Sequence, residues 1–363
     1  MTPADGLDAA TILDRPADLQ ALDAADMRGQ VATIPDQVRD GWARTRDLTV
    51  PAAYRATTSV VVLGMGGSAI GGDLVHDIFA DRLTVPLEVV RGYDLPAWVG
   101  PHTLVVAVSY SGATEETISA LEAALRRRCP VLVVTTGGPL REVARRAELP
   151  HLVFPGGGQP RAAVGYAVSL LAGILERTGH LALAATEIEA AAVAATATRA
   201  AIDPAVPTNA NPAKQLAWEL LDRVPLVIGS GAMAAVARRW KTQLNENGKS
   251  DAIYDALPEA SHNTIVGFDY PADMQDQLCV VFLAGSADHP RDRLRATLLG
   301  EHLDSLHVTH RAVPCDAPGR LAAALQGIVF GDLVSVYLAV LYGVDPTPVE
   351  AIAKLKAELA RQP

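Results

Sequence analysis

The chain has 363 residues and a net charge of −10, with 49% hydrophobic, 20% charged and 5% aromatic residues. That length holds about two domains of ~150 residues, with cores built mainly from Ala, Val, Leu and Ile. The acidic balance excludes nucleic acid as a partner, because phosphate backbones need clustered Lys and Arg. A small anion needs only a local positive site and stays open.

Residues 1 to about 50 read as a polar helical extension. Its start, MTPADGLDAATILD, carries acids and no basic, apolar signal pattern. Apolar runs then alternate with helical stretches. Strands are expected at 59–63, 87–91, 104–108, 131–135 and 152–154. Helices are expected at 69–79, 115–127, 139–147, 163–178 and 187–201. Such alternation predicts an α/β fold with a parallel sheet covered on both faces. Ile202 to Pro212 (IDPAVPTNANP) holds three prolines and two asparagines and reads as a linker. The pattern then restarts, with strands at 225–229, 252–254, 278–283 and 307–313 and helices at 232–244, 291–303, 320–342 and 348–361. VVLGMGGSAIGG and LVIGSGAMAAV share the form strand, Gly-x-Gly, small residues, helix. This implies a duplicated α/β half, with ligands outside the carboxyl ends of the strands.

Leu321 to Val344 is long enough to span a bilayer. Gln326 and Asp332 interrupt it, so it reads as a buried helix and no membrane partner is expected. Cys129, Cys279 and Cys315 form no CxxC pair. They are expected as reduced core thiols of a cytoplasmic protein, with no metal site or disulfide framework.

Two junctions carry the first chemical signal: GMGGSAIGG (64–72) and SYSGATEET (109–117). Glycines let the backbone approach a ligand closely. N–H groups and hydroxyls then donate to anionic oxygens at a positive helix end. Ser109, Ser111 and Thr114 place three hydroxyls within six residues. Helix capping by Ser111 or Thr114, with Glu115 and Glu116 in the first turn, accounts for one of them. The spacing Gly64-x-Gly66-x-x-Ala69 also resembles a dinucleotide-binding turn, a weak match with no ribose-binding acid after the second strand. The second signal is QLNENGKSDAIYDALPEASHNTIVGF (243–268), dense in Asn245, Glu246, Asn247, Lys249, Glu259, His262 and Asn263. Glu246 ends a helix, where the dipole does not favour a carboxylate. With His262 it forms a candidate acid–base pair. Arg161, after the break PGGGQP, is a candidate anion partner, against the alternative of an ordinary surface arginine.

GMGGSAIGGDL, SYSGATEET, TTGGPL, the Arg161 context, NENGKS, PEASHNTIVGF and DPTPVEAI, in that order, resemble the bifunctional phosphoglucose/phosphomannose isomerase family of the sugar isomerase (SIS) superfamily. The resemblance runs from about residue 55 to the end. It implies two SIS-type three-layer αβα halves, 51–205 with the phosphate loops and 206–363 with the catalytic segment. It further implies that Gly67, Ser68, Ser109, Ser111 and Thr114 hold a sugar 6-phosphate. Glu246 would move the proton between C2 and C1, and Arg161 would stabilise the enediolate. His262, from the second subunit of a homodimer, would assist ring opening with a lysine of the last helix, Lys354 by its spacing of seven from Thr347, with Lys356 as the alternative. Thr347 would leave room for the mannose epimer. No metal or redox cofactor is implied. The alternatives are a non-catalytic sugar-phosphate-binding regulator on the same fold, an isomerase of another phosphosugar, and a nucleotide-dependent oxidoreductase.

Overall fold

A computed structural model describes residues 9–359 and 361. Three helices come first: α1 (Pro16–Leu22), α2 (Met27–Ala32) and α3 (Ile34–Arg46). The expectation of a merely polar extension is corrected here. Ile34, Val38 and Trp42 of α3, spaced i, i+4, i+8, are buried, and the helix packs along the later helix Val164–Arg177.

The first sheet follows as β1 (Ser59–Leu63), α4 (Gly66–Ile78), β2 (Leu87–Val90), β3 (Thr103–Ser109), α5 (Glu115–Arg126), β4 (Val131–Thr135), α6 (Gly138–Arg146) and β5 (His151–Val153). Its order is β2-β1-β3-β4-β5, every pair parallel. All residues of β3 and β4 are buried. Such unbroken Val- and Leu-rich runs suit a sheet with helices on both faces. Two helices, α7 (Val164–Arg177) and α8 (Ala185–Ala201), cross to the second half.

The second half runs α9 (Pro212–Leu220), β6 (Val224–Ser230), α10 (Ala232–Glu246), β7 (Ile253–Leu257), β8 (Leu278–Gly285), α11 (Pro290–Ser305), β9 (Thr309–Cys315), α12 (Arg320–Leu341) and α13 (Glu350–Leu359). Its parallel order β7-β6-β8-β9 repeats that of β2-β1-β3-β4. The protein is thus α/β, two parallel sheets flanked by helices. One core joins Val62 and Val106 of the first sheet to Val227 and Val281 of the second through α12. That helix is long and apolar enough to cross a membrane, and 89% of its most apolar stretch is buried inside the protein. The three cysteines are free and buried.

The segment expected as a linker is pinned in place. Asn211 caps α9 by accepting from the backbone N–H of Ala213 and Lys214. The fully buried Lys214 ammonium donates to Asp14 Oδ1 at 2.9 Å and to the carbonyls of Pro204 and Val206, both at 2.8 Å. These bonds tie 204–206 to the segment before α1. Burial raises the Asp14 pKa, but the bonds from Lys214 and Thr208 outweigh it and leave the carboxyl below its ordinary value.

Lys214→Met, which orphans two carbonyls, is expected to cost about 1–3 kcal/mol of unfolding free energy, read by urea denaturation. The Asp14 share of that stability is present above the unfolded carboxyl pKa. It is lost as the pH falls through the lower folded value, so the difference from wild type narrows in acid.

Candidate active site between the two halves

In the first sheet the chain runs from β1 outward to β2 and then back to β3, so the carboxyl ends of β1 and β3 flank a crevice. The glycine-rich turn into α4 and the hydroxyl-rich turn into α5 face each other there. Tyr110 N–H donates to Ser68 Oγ across them at 3.2 Å. Ser109 is buried, and its Oγ lies 2.8 Å from Thr114 Oγ1 and accepts from Gly112 N–H at 3.1 Å. Ser111 is exposed and accepts from Ala113 N–H at 3.2 Å.

The capping expectation is corrected. Thr114 holds the N-cap position of α5, yet its side chain makes no cap bond, because the hydroxyl turns to Ser109. The N-cap of α4, Met65, provides no side-chain cap either. Two helix N-termini therefore open on the crevice with their first N–H groups uncapped by side chains, which is the requirement for holding an anion. Gly112 has φ +66°, and a Cβ there would collide with the Gly137 carbonyl oxygen. The TTGGPL turn thus presses directly on the hydroxyl loop. Gly67 allows a second close approach: its Cβ would lie 2.9 Å from Pro160 O and 3.2 Å from Arg161 Cα. The first turn of α4 rests on the segment that carries Arg161.

Arg161 is no surface arginine; it is only 3% exposed. Its Nε donates to Asn247 Oδ1 at 2.6 Å. Its Nη2 donates to the carbonyls of Pro346 at 3.0 Å and Thr347 at 2.7 Å. The Nη1 edge meets Gln159 Oε1 at 3.2 Å and Glu246 Oε2 at 3.5 Å. Burial lowers the pKa of the guanidinium, and Glu246 opposes that effect. Glu246 is the last residue of α10, with a half-buried side chain. Lys249 closes the same helix end, donating to Glu246 O and, at 3.0 Å, to Pro346 O. Its burial, and then the Arg161 charge, lower its pKa. Thr347 donates its N–H to Asp345 Oδ1 at 2.8 Å, while its own Oγ1 is buried without a hydrogen-bond partner.

The structure therefore brings Arg161, Glu246 and Thr347 together beside the loops holding Gly67, Ser68, Ser109, Ser111 and Thr114. Among the described residues, no hydrogen bond or ion pair joins His262, Lys354 or Lys356 to them. His262 ends a short 3-10 turn, Glu259–His262, and is exposed. Lys354 and Lys356 are exposed on α13, where no residue is buried. Other members of the polar cluster serve local structure: Asn263 donates to Glu259 at 2.8 Å and Asn245 to Ser250 O at 2.9 Å. Gln159 and Asn247 were not assigned a role from sequence. Among the described residues no three His, Cys, Asp or Glu side chains are grouped as a metal would require.

Residues 209–359 match the family described as the bacterial phospho-glucose isomerase C-terminal SIS domain. A bifunctional phosphoglucose/phosphomannose isomerase of Caldicellulosiruptor bescii is 36% identical over 331 residues, 91% of this chain and 98% of that one. The chain belongs to the bifunctional phosphoglucose/phosphomannose isomerase family. Another relative of that name, from Aquifex aeolicus, is 32% identical over 83% of this chain and 90% of its own. A crystal structure of a hypothetical protein from Thermus thermophilus matches with a TM-score of 0.73 at 17% identity, covering 97% of this chain and 93% of that one. That likeness shows the fold.

For this isomerase-family site, inorganic phosphate is expected to raise the wild-type melting temperature. Gly112→Ala, strained by its φ and blocked by Gly137, should lose that phosphate-dependent rise in a thermal shift titration.

Proposed function

We propose that the protein interconverts glucose 6-phosphate, and also mannose 6-phosphate, with fructose 6-phosphate through a cis-enediolate. The observation that carries this is the Glu246 carboxylate 3.5 Å from a buried guanidinium, beside a crevice with two uncapped helix N-termini. Aldose–ketose isomerisation needs these parts: a phosphate grip, a base at the α-carbon and a cation where oxygen charge develops.

In this reading the 6-phosphate lies against Gly67, Ser68, Ser111 and Thr114, with Ser109 shaping the loop from within. The grip supplies binding energy remote from the reacting carbons and orients the sugar. Glu246 takes the proton from C2 of the open-chain aldose. The C2–H electron pair forms the C1–C2 double bond, and the carbonyl π pair moves to O1. Arg161 Nη1 donates to the oxygens that gain charge. A proton passes from the O2 hydroxyl to O1, and return of the abstracted proton to C1, with O2 as the new carbonyl, gives the ketose. Thr347 sets the space that admits the mannose epimer.

Ring opening falls to His262 from a second copy of the chain, with Lys354 or Lys356. Support comes from the exposure of His262 and α13. The half-exposed apolar side chains Ile352, Leu355 and Leu359 of α13 also suit a homodimer interface. The division of labour places the grip in residues 51–205 and the base in 206–363. We place the protein in the cytoplasm, in keeping with its free, buried cysteines.

Glu246→Gln is expected to lower kcat by about 10²–10⁴-fold in a coupled glucose-6-phosphate assay. Wild-type turnover in D₂O should leave deuterium at C1 or C2. Undiminished turnover in the variant would remove the base assignment, and no wild-type turnover on any hexose 6-phosphate would favour the non-catalytic regulator. The shared site has its own check. Mixing inactive Glu246→Gln and His262→Ala subunits should restore about a quarter of wild-type activity, since half the dimers are mixed and each keeps one intact site. A monomer, or no recovery after subunit exchange, would overturn it.

A further inference from the structure

Arg161 is the end of a closed hydrogen-bonded ring that reaches the middle of the core. Its Nε donates to Asn247 Oδ1 at 2.6 Å. Asn247 Nδ2 donates to Ser335 Oγ at 3.0 Å, and Ser335 donates to the Asp332 carbonyl at 2.6 Å. The Asp332 carboxylate accepts from Arg239 Nε at 3.1 Å and Nη2 at 2.5 Å. Arg239 Nη2 then returns to the Arg161 carbonyl at 2.8 Å. All five residues are at least 97% buried.

The donors and acceptors in this ring leave no freedom. Ser335 has one proton, spent on the Asp332 carbonyl, so toward Asn247 it can only accept. A guanidinium only donates. The Asn247 amide is therefore held with its oxygen on Arg161 and its nitrogen on Ser335. No other uncharged side chain of that length presents an acceptor on one side and a donor on the other. With Nε fixed by Asn247 and Nη2 by two carbonyls, Nη1, which also reaches Gln159 Oε1 at 3.2 Å, is the edge left for Glu246 and a ligand. The ring makes no hydrogen bond to the side chains of the phosphate loops.

We propose that Asn247 and Ser335 are positioning residues. Through Arg161 alone, they aim Nη1 at the oxygens that become charged during isomerisation. This rests on the isomerase reading and adds to it a dependence of catalysis on an asparagine and a serine that touch no substrate.

The test is a pair of mutant cycles. Asn247→Leu should lower kcat about 10²-fold, the scale of a small misplacement of a catalytic group, with KM within about threefold because the phosphate grip is intact. Ser335→Ala should lower kcat about tenfold by loosening the same amide; it carries the test if the leucine variant does not fold. In an Arg161→Ala background neither substitution should lower kcat further. Wild-type kcat in a folded Asn247→Leu, or losses that multiply with Arg161→Ala, would overturn the proposal.

Calorimetry reads the same point without turnover. A five-carbon aldonate 5-phosphate mimics the enediolate. Asn247→Leu should weaken its binding while leaving inorganic phosphate binding unchanged, and equal weakening of both would count against positioning. If wild type isomerises no hexose 6-phosphate, the isomerase reading fails, and the calorimetric cycle still decides whether Asn247 acts through Arg161.

Discussion

A guanidinium buried this deeply must find acceptors for its N–H groups, because an unpaired buried charge is far costlier than a paired one. For Arg161 those acceptors come from Gln159, the end of α10, and the carbonyls of Pro346 and Thr347. Meeting one side chain's demand therefore draws together segments up to 186 residues apart. Glu246 ends at a defined place because Asn247, its neighbour, is already committed to Arg161. Thr347 lies where it does because its carbonyl is one of the acceptors. The site is thus organised around a cation held from behind, with one edge left to the crevice.

The repeated sheet order shows what duplication does and does not supply. Both halves place a glycine turn at the switch point between their first and third strands. In the first half, that place is lined by hydroxyls and by helix ends without side-chain caps. In the second, the chain's own Asp288 carboxylate accepts from Gly285 N–H at 2.9 Å at the corresponding end of β8. Burial pushes that carboxyl's pKa up. One half offers donors to an anion while the other already carries an acceptor, so a common topology serves different ends.

The alternation of apolar runs and helical patterns made both sheets legible. A buried parallel strand such as VLVVT has few other readings. The two glycine–hydroxyl junctions were legible as places of close backbone approach, which glycine spacing reports directly and which Gly67 and Gly112 show. Less legible was anything decided by distant partners. The helix Pro212–Leu220 was hidden by the prolines before it, which Lys214 and Asn211 fix in place. The face of Ile34, Val38 and Trp42 lay among charged residues that kept the segment looking polar. Asn247 stood in the sequence as one of seven polar residues. Its distinction is burial, and the clue was Asp332, a carboxylate in an otherwise apolar helix that required a buried partner somewhere. The spacing of Arg239, Gln243 and Asn247 at every fourth residue put that partner's helix face in view.

The Arg239–Asp332 pair also bears on how the chain reaches its destination. Helix α12 is apolar enough to be taken for a membrane segment while it is being synthesised. Near its midpoint, Asp332 adds about 2.5–3.5 kcal/mol to the cost of lateral insertion. Arg239 lies 93 residues earlier in the chain, so it leaves the ribosome before α12 does. The carboxylate that disfavours the bilayer thus follows its counter-charge in order of synthesis. In the folded protein the same two side chains close the ring of hydrogen bonds behind Arg161.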